Sequence, residues 1–129
     1  SYVLQSENQD RYFKNAQRVR RLIVDKVKEL FKEYDGLIMP VGTGVAKHLD
    51  GSKDILKSDT AALEDHLQIG NFGGFPSITL PFTMVNDMPV GINLTGRVCE
   101  DDVVLNMANY VEKVTGLKDI YCEVGDIDV

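Results

Sequence analysis

The fold turns on one stretch: Asn71-Phe72-Gly73-Gly74-Phe75-Pro76-Ser77-Ile78-Thr79-Leu80-Pro81-Phe82, then Thr83-Met84-Val85-Asn86-Asp87, then Met88-Pro89-Val90-Gly91-Ile92-Asn93-Leu94-Thr95-Gly96. Residues 75–82 and 89–95 are rich in apolar and β-branched side chains and flank a polar connection with Asn86 and Asp87, which predicts two strands joined as a hairpin. Pro76 and Pro81 bracket the first strand and Pro89 opens the second, positions where a missing N–H costs a ladder least. Gly73, Gly74 and Gly91 predict close approach of backbone or ligand.

Upstream, Tyr12, Ala16, Val19, Ile23, Val27 and Leu30 recur at steps of three and four, predicting a long helix over residues 7–34, with Ser6 and Gln9 as a capping box and Asp35-Gly36 as its end. Arg18, Arg20 and Arg21 on that helix read as a solvated face, with contact to a partner protein or tRNA as the alternative. Residues 37–41, an unbroken apolar run, predict a strand buried on both faces of a mainly parallel sheet. Residues 42–59 read as a polar loop. Its Gly42-Thr43-Gly44 lacks the following Lys-Ser/Thr, or third glycine, of a phosphate cradle. A short helix is expected at 60–71, capped near Asp59, and an amphipathic helix at 101–115 ending at Gly116. The acidic tail predicts a short docked piece and a solvated end. This order defines an α/β architecture, with about three strands of a mixed sheet packed with helices.

Composition narrows the function classes. The 129 residues, 43% hydrophobic and 26% charged, suit one soluble domain with a buried core. No apolar run approaches the roughly 18 residues of a membrane span, and the first residues do not resemble a signal peptide. The net charge is −6, with bases in excess over residues 7–33 and acids in excess thereafter. A domain so acidic does not wrap nucleic acid by itself, and any RNA contact falls to the first helix or to another chain. Cys99 and Cys122 are too few for a disulfide framework and read as reduced thiols. His48 and His66 lack metal-ligand spacing and read as surface histidines, so no metal site is expected.

The stretch from Asn71 to Gly96 resembles the later part of amidase-signature enzymes, in which a helix ending in Asn and small residues enters a Pro-bracketed strand and a Pro-(Val/Ile)-Gly strand follows. Lys14-Asn15-Ala16-Gln17-Arg18-Val19-Arg20-Arg21-Leu22-Ile23 sharpens the likeness toward the glutaminase (A) subunits of tRNA-dependent amidotransferases. After the first strand the chain departs from that pattern, with Val41-Gly42-Thr43-Gly44-Val45-Ala46 in place of a Thr-Ala-Pro-Thr-Pro-like run.

The resemblance implies an α/β C-terminal portion of the amidase-signature fold, within a protein that releases ammonia from glutamine to convert glutamylated tRNA(Gln). It implies amidotransferase subunits B and C as partners, with ATP and magnesium held by the partner, and a cytoplasmic location. Amidases of this kind cleave a carboxamide with a serine nucleophile and a Ser-Lys relay, because a weak hydroxyl needs a base and the oxyanion needs N–H donors. Ser1, Ser6, Ser52, Ser58 and Ser77 lie outside any Gly-Gly-Ser-Ser-Gly-like segment, and Ser77 lacks the spacing of a nucleophile elbow. The catalytic residues are therefore expected outside this chain, which alone should be inactive. One inherited role is an acid facing the α-amino group of the donor glutamine. Counting seven residues back from Asn71 gives Glu64, while Asp65 matches the family's residue type; both could equally favour a helix N-terminus. A stand-alone amidase acting on a small amide and a non-catalytic interaction module are the other readings.

Overall fold

A computed structural model describes residues 5, 8–42, 44–46, 65–117 and 119–120. Helical geometry begins with a wide π-helical segment, Gln9–Lys14, and continues directly into helix α1, Asn15–Leu30. Strand β1 spans Leu37–Pro40. A 3-10 turn, Asp65–Leu67, leads into the short helix α2, Gln68–Gly73. Strands β2, Ser77–Val85, and β3, Met88–Thr95, form a hairpin, and helix α3 spans Asp101–Thr115. Ser6, residues 47–64 and Cys122 lie outside the described residues, and with them the expected capping box, most of the expected loop and the first part of the expected 60–71 helix.

The sheet has the order β1-β3-β2, and both pairings are antiparallel. This corrects the expectation for the first strand. Rather than a strand covered on both faces and paired in parallel, β1 pairs with β3 alone among the described residues, Ile38 opposite Leu94, and Ile38 is 68% exposed. An apolar run records what is covered in the finished assembly and carries no sign of strand direction.

Alternation along the strands gives the sheet two unlike faces. Ile92 and Leu94 of β3 share one face with Ile78 and Leu80 of β2. Helix α3 covers it with Ala108, Met107 and Val111. On the other face Leu37 joins a cluster with Val24, Val27 and Phe31 from α1 and its end, Phe75, and Ile69 of α2. The Phe31 and Phe75 rings meet tilted, centroids 5.4 Å apart.

The buried stripe of α1 differs from the expected one. Ile23, Val24, Val27 and Phe31 meet the core, while Tyr12, Val19 and Leu30 are exposed. Periodicity located the helix; its facing is decided by where Phe75 and Leu37 offer apolar partners.

Pro81 does not end β2. The strand runs on to Val85, with a bulge between Pro81 and Thr83, because β2 is an edge strand on which a missing N–H and an extra residue are both tolerated. Asn86 and Asp87, at φ 51° and 60°, make the left-handed turn that joins β2 to β3.

Candidate substrate-positioning segment

Of the two acids singled out for a ligand contact, one falls at the start of the segment that enters the hairpin. Glu64 lies outside the described residues, and Asp65 opens the 3-10 turn at Asp65–Leu67. The structure thus places the backbone of one of the two and not the other.

From Asp65 to Gly73 the segment is held at both ends by side chain to carbonyl hydrogen bonds that cross the molecule. His66 Nε2 lies 2.6 Å from the Pro40 carbonyl oxygen at the end of β1. A carbonyl only accepts, so this ring nitrogen carries the hydrogen and donates. At the far end Arg20 Nε of α1 donates to the Phe72 carbonyl at 2.9 Å. Between these anchors Ile69 sits against the Val24, Val27, Phe31 and Phe75 cluster.

The segment closes by close approach. The Phe75 ring lies directly over Gly73, where a Cβ would fall 2.0 Å from the ring carbon Cε2. Gly74 follows at φ 67°, a left-handed position that turns the chain out of α2, and both Gly74 N and Phe75 N donate to the Gly70 carbonyl.

His66, read as a surface histidine, is partly exposed and joins the turn to β1 through the Pro40 carbonyl. The arginine face of α1 is exposed, as expected of a solvated face, and its side chains find partners there: Arg18 donates to Asn15 Oδ1, Arg21 pairs with Asp25, and Arg20 caps α2. Charged side chains one turn apart on a helix find local partners, and an α2 carbonyl within reach takes the third.

The sheet face shared by Leu37 carries a polar strip that the alternation of the sequence does not isolate. Thr95, 1% exposed, donates from Oγ1 to Asn93 Oδ1 at 2.9 Å, and Asn93 Nδ2 donates to Thr79 Oγ1 at 3.3 Å. Buried polar groups persist where they are hydrogen-bonded. Ser77 pairs with Thr95 on this face, and Gly70 lies beside it, a Cβ there standing 3.6 Å from the Ser77 hydroxyl. The signal was present in Ile92-Asn93-Leu94-Thr95, whose alternation marks a face but not whether that face is wet.

Arg97 was also missed. Its guanidinium donates to the Phe31 and Tyr34 carbonyls at 2.9 and 3.3 Å and to Asp35 at 2.9 Å, with Glu100 at 3.5 Å. It therefore caps the C-terminal end of α1, where orphan carbonyls and the helix dipole favour a cation. Gly36, expected to stop the helix, instead makes room for the Met107 side chain.

Three exposed groups on α1 and the segment before it titrate away from their ordinary values. Asp10 is lowered by its hydrogen bond and ion pair with Lys14, Glu29 is lowered by those with Lys26, and Lys26 is raised in return. Among the described residues no three His, Cys, Asp or Glu side chains gather as a metal site, and no helix is long and apolar enough to cross a membrane. What the segment offers chemically is a backbone held at both ends, with an acid at its first residue and hydroxyl and amide groups on the sheet face next to it.

This helix-flanked antiparallel sheet is shared with a known enzyme class. The Amidase family model matches residues 1–105, and the chain belongs to the amidase-signature family. Its relatives include the A subunit of glutamyl-tRNA(Gln) amidotransferase from Fusobacterium nucleatum, 34% identical over 117 residues, covering 90% of this chain and 23% of the relative. The protein of that name from Thermotoga maritima is 33% identical over 114 residues, covering 88% and 23%. The crystal structure of the Thermotoga maritima protein superposes with a TM-score of 0.71 at 30% identity, covering 87% of this chain and 24% of that one. A structure described as an amidase, at 24% identity and a TM-score of 0.66, shares the fold. The chain spans about a quarter of the length of the curated relatives it matches.

Proposed function

We propose that the chain is the C-terminal part of the glutaminase (A) subunit of a tRNA-dependent amidotransferase. In this reading the whole subunit frees ammonia from glutamine, and subunits B and C, with ATP and magnesium at the partner, use it to convert Glu-tRNA(Gln) to Gln-tRNA(Gln) in the cytoplasm. The observation that carries the reading is the agreement in name of relatives from separate bacteria, each about one-third identical over most of this chain. Within it, Asp65 or Glu64 faces the ammonium of the donor glutamine, a pairing that suits a carboxylate. The serine nucleophile and its Ser-Lys relay belong to the rest of the subunit, and the 129-residue chain alone is inactive.

The test is amidation of glutamylated tRNA by the full-length protein with subunits B and C, ATP and glutamine, using the 129-residue chain as control. Ammonia release in step with amidation, and none from the short chain, is the expected result. Hydrolysis of another small amide without any partner would replace this reading by a stand-alone amidase, and absence of both activities would leave an interaction module.

A further inference from the structure

Helix α1 carries more apolar surface than the core uses. Val24, Val27 and Phe31, with Ile23 beside them, belong to the cluster around Phe75. A second row, Val19, Leu22 and Leu30, stands 55%, 65% and 45% exposed. With Lys26 these residues follow steps of three, four and four, so at 3.6 residues per turn they fall within about 80° of one another and form one strip. The aliphatic stem of Lys26 keeps the strip apolar while its ammonium turns aside to Glu29. Apolar side chains scattered singly on a surface are ordinary, but a row aligned along most of a helix is the anchor pattern by which one helix receives another.

Charge narrows the partner. Residues 9–32 hold eight bases and three acids, a balance of +5, whereas the whole chain stands at −6. All three acids are already paired, Asp10 with Lys14, Asp25 with Arg21 and Glu29 with Lys26. Arg18, Lys28 and Lys32 pair with no acid among the described residues. Covering the strip with the rest of its own domain would desolvate these cations, whereas between subunits they stay at a wet rim around an apolar centre. A second copy laid along the same helix would set like charge against like. RNA would answer the charge and leave Val19, Leu22 and Leu30 uncovered.

We propose that the exposed row of α1 is a docking surface for an acidic amphipathic helix of another subunit, its apolar side chains against Val19, Leu22 and Leu30 and its carboxylates toward Arg18. The proposal rests on the amidotransferase reading, which sets subunits B and C beside this one, and goes beyond it in naming the surface and the chemistry that fits. Burial of the three anchors supplies affinity, and the flanking cations set orientation and disfavour basic helices.

Affinity of the full-length protein for the purified pair of subunits B and C is measured by titration calorimetry. Leu22→Ser is expected to weaken it about tenfold. Leu22→Glu should weaken it more than Leu22→Lys, because only the glutamate repels an acidic partner. Arg18→Glu is expected to cost about tenfold at low salt and less at high salt. The melting temperature of the isolated full-length protein should stay within about 2 °C in each variant, as for other exposed positions. A photoreactive p-benzoylphenylalanine in place of Leu22, irradiated in the assembly with tRNA, is expected to crosslink to an acidic segment of B or C whose apolar residues recur at three and four. Crosslinking within the same chain, to a second copy or to tRNA would overturn the proposal. So would affinity unchanged by Leu22→Glu, Leu22→Lys binding more weakly than Leu22→Glu, or a melting temperature lowered by Leu22→Ser. If the parent protein binds neither B nor C, the amidotransferase reading fails and the docking surface with it; if parent and variants assemble and amidate tRNA alike, the docking surface alone falls.

Discussion

At the scale of the residue, Arg97 is the side chain whose loss is expected to be felt farthest from its own position. It joins the β3–α3 connection to the carbonyls that end α1, and its partners Phe31 and Tyr34 leave orphan acceptors when it is removed. Asp35 is mostly exposed, so the ion pair itself adds little. Arg97→Ala is expected to cost about 1–2 kcal/mol of stability, and Arg97→Lys most of that, because an ammonium cannot present the planar fork. Urea unfolding of the full-length protein and both variants checks this, and an Arg97→Lys variant as stable as the parent would refute it.

The Lys26–Glu29 pair, 2.8 Å apart on α1, belongs to the same scale. Glu29 titrates below its ordinary value and Lys26 above its own, each chiefly through their shared hydrogen bond. The contribution of Glu29 is thus present above the ordinary carboxylate pKa and lost as pH falls through the lowered one. That of Lys26 is present below the ordinary ammonium pKa and lost as pH rises through the raised one. Lys26→Ala is expected to move the Glu29 titration upward, as read by carboxyl chemical shifts, and salt to shrink the difference.

At the scale of the element, the hairpin turn and the entry to β2 carry the strongest backbone demands. Asn86 and Asp87 both adopt positive φ, which Gly meets without strain and β-branched residues resist. Asp87→Gly is expected to raise stability by about 0.5 kcal/mol and Asp87→Val to lower it by about 1–2 kcal/mol. Gly73→Ala would push the Phe75 ring away from Phe31, at a cost of about 1–3 kcal/mol. Thermal unfolding of these variants orders them; Gly73→Ala melting with the parent would show that the ring yields freely.

These same elements mark how far the sequence could be read. The hairpin was legible because turn residues and β-branched runs are local signals, and α1 and α3 because their apolar spacing is. Strand direction, the bulge at Pro81 and the true buried stripe of α1 were not, since each depends on which element lies opposite. Of the site, the sequence offered Glu64 by its spacing to Asn71 and Asp65 by its residue type, and nothing local chooses between them. The bonds from His66 to Pro40 and from Arg20 to Phe72 could not, because they join residues far apart in the chain.

At the scale of the whole molecule, two helical layers flank a three-stranded sheet that leaves large apolar side chains open. Ile38, Leu22 and Tyr110 are each about two-thirds exposed, and Phe82 is half exposed on an edge strand. Apolar surface of this extent on an isolated chain, next to strand edges that pair with nothing further among the described residues, favours self-association. Sedimentation of the 129-residue chain is expected to give a mass above 14.4 kDa that falls on dilution and falls further in Ile38→Lys. A monomer at every concentration would count against it.

The strand order has a further consequence, in time rather than in energy. β2 and β3 meet through a two-residue turn, whereas β1 reaches β3 only after the chain has closed the long loop from Pro40 to Ile92. Loop closure of that length must precede any reward from the β1 pairing. The hairpin is therefore expected to form in the folding transition state and β1 to dock late. Substitutions at the turn should slow refolding, while those at Leu37 or Arg97 should chiefly hasten unfolding.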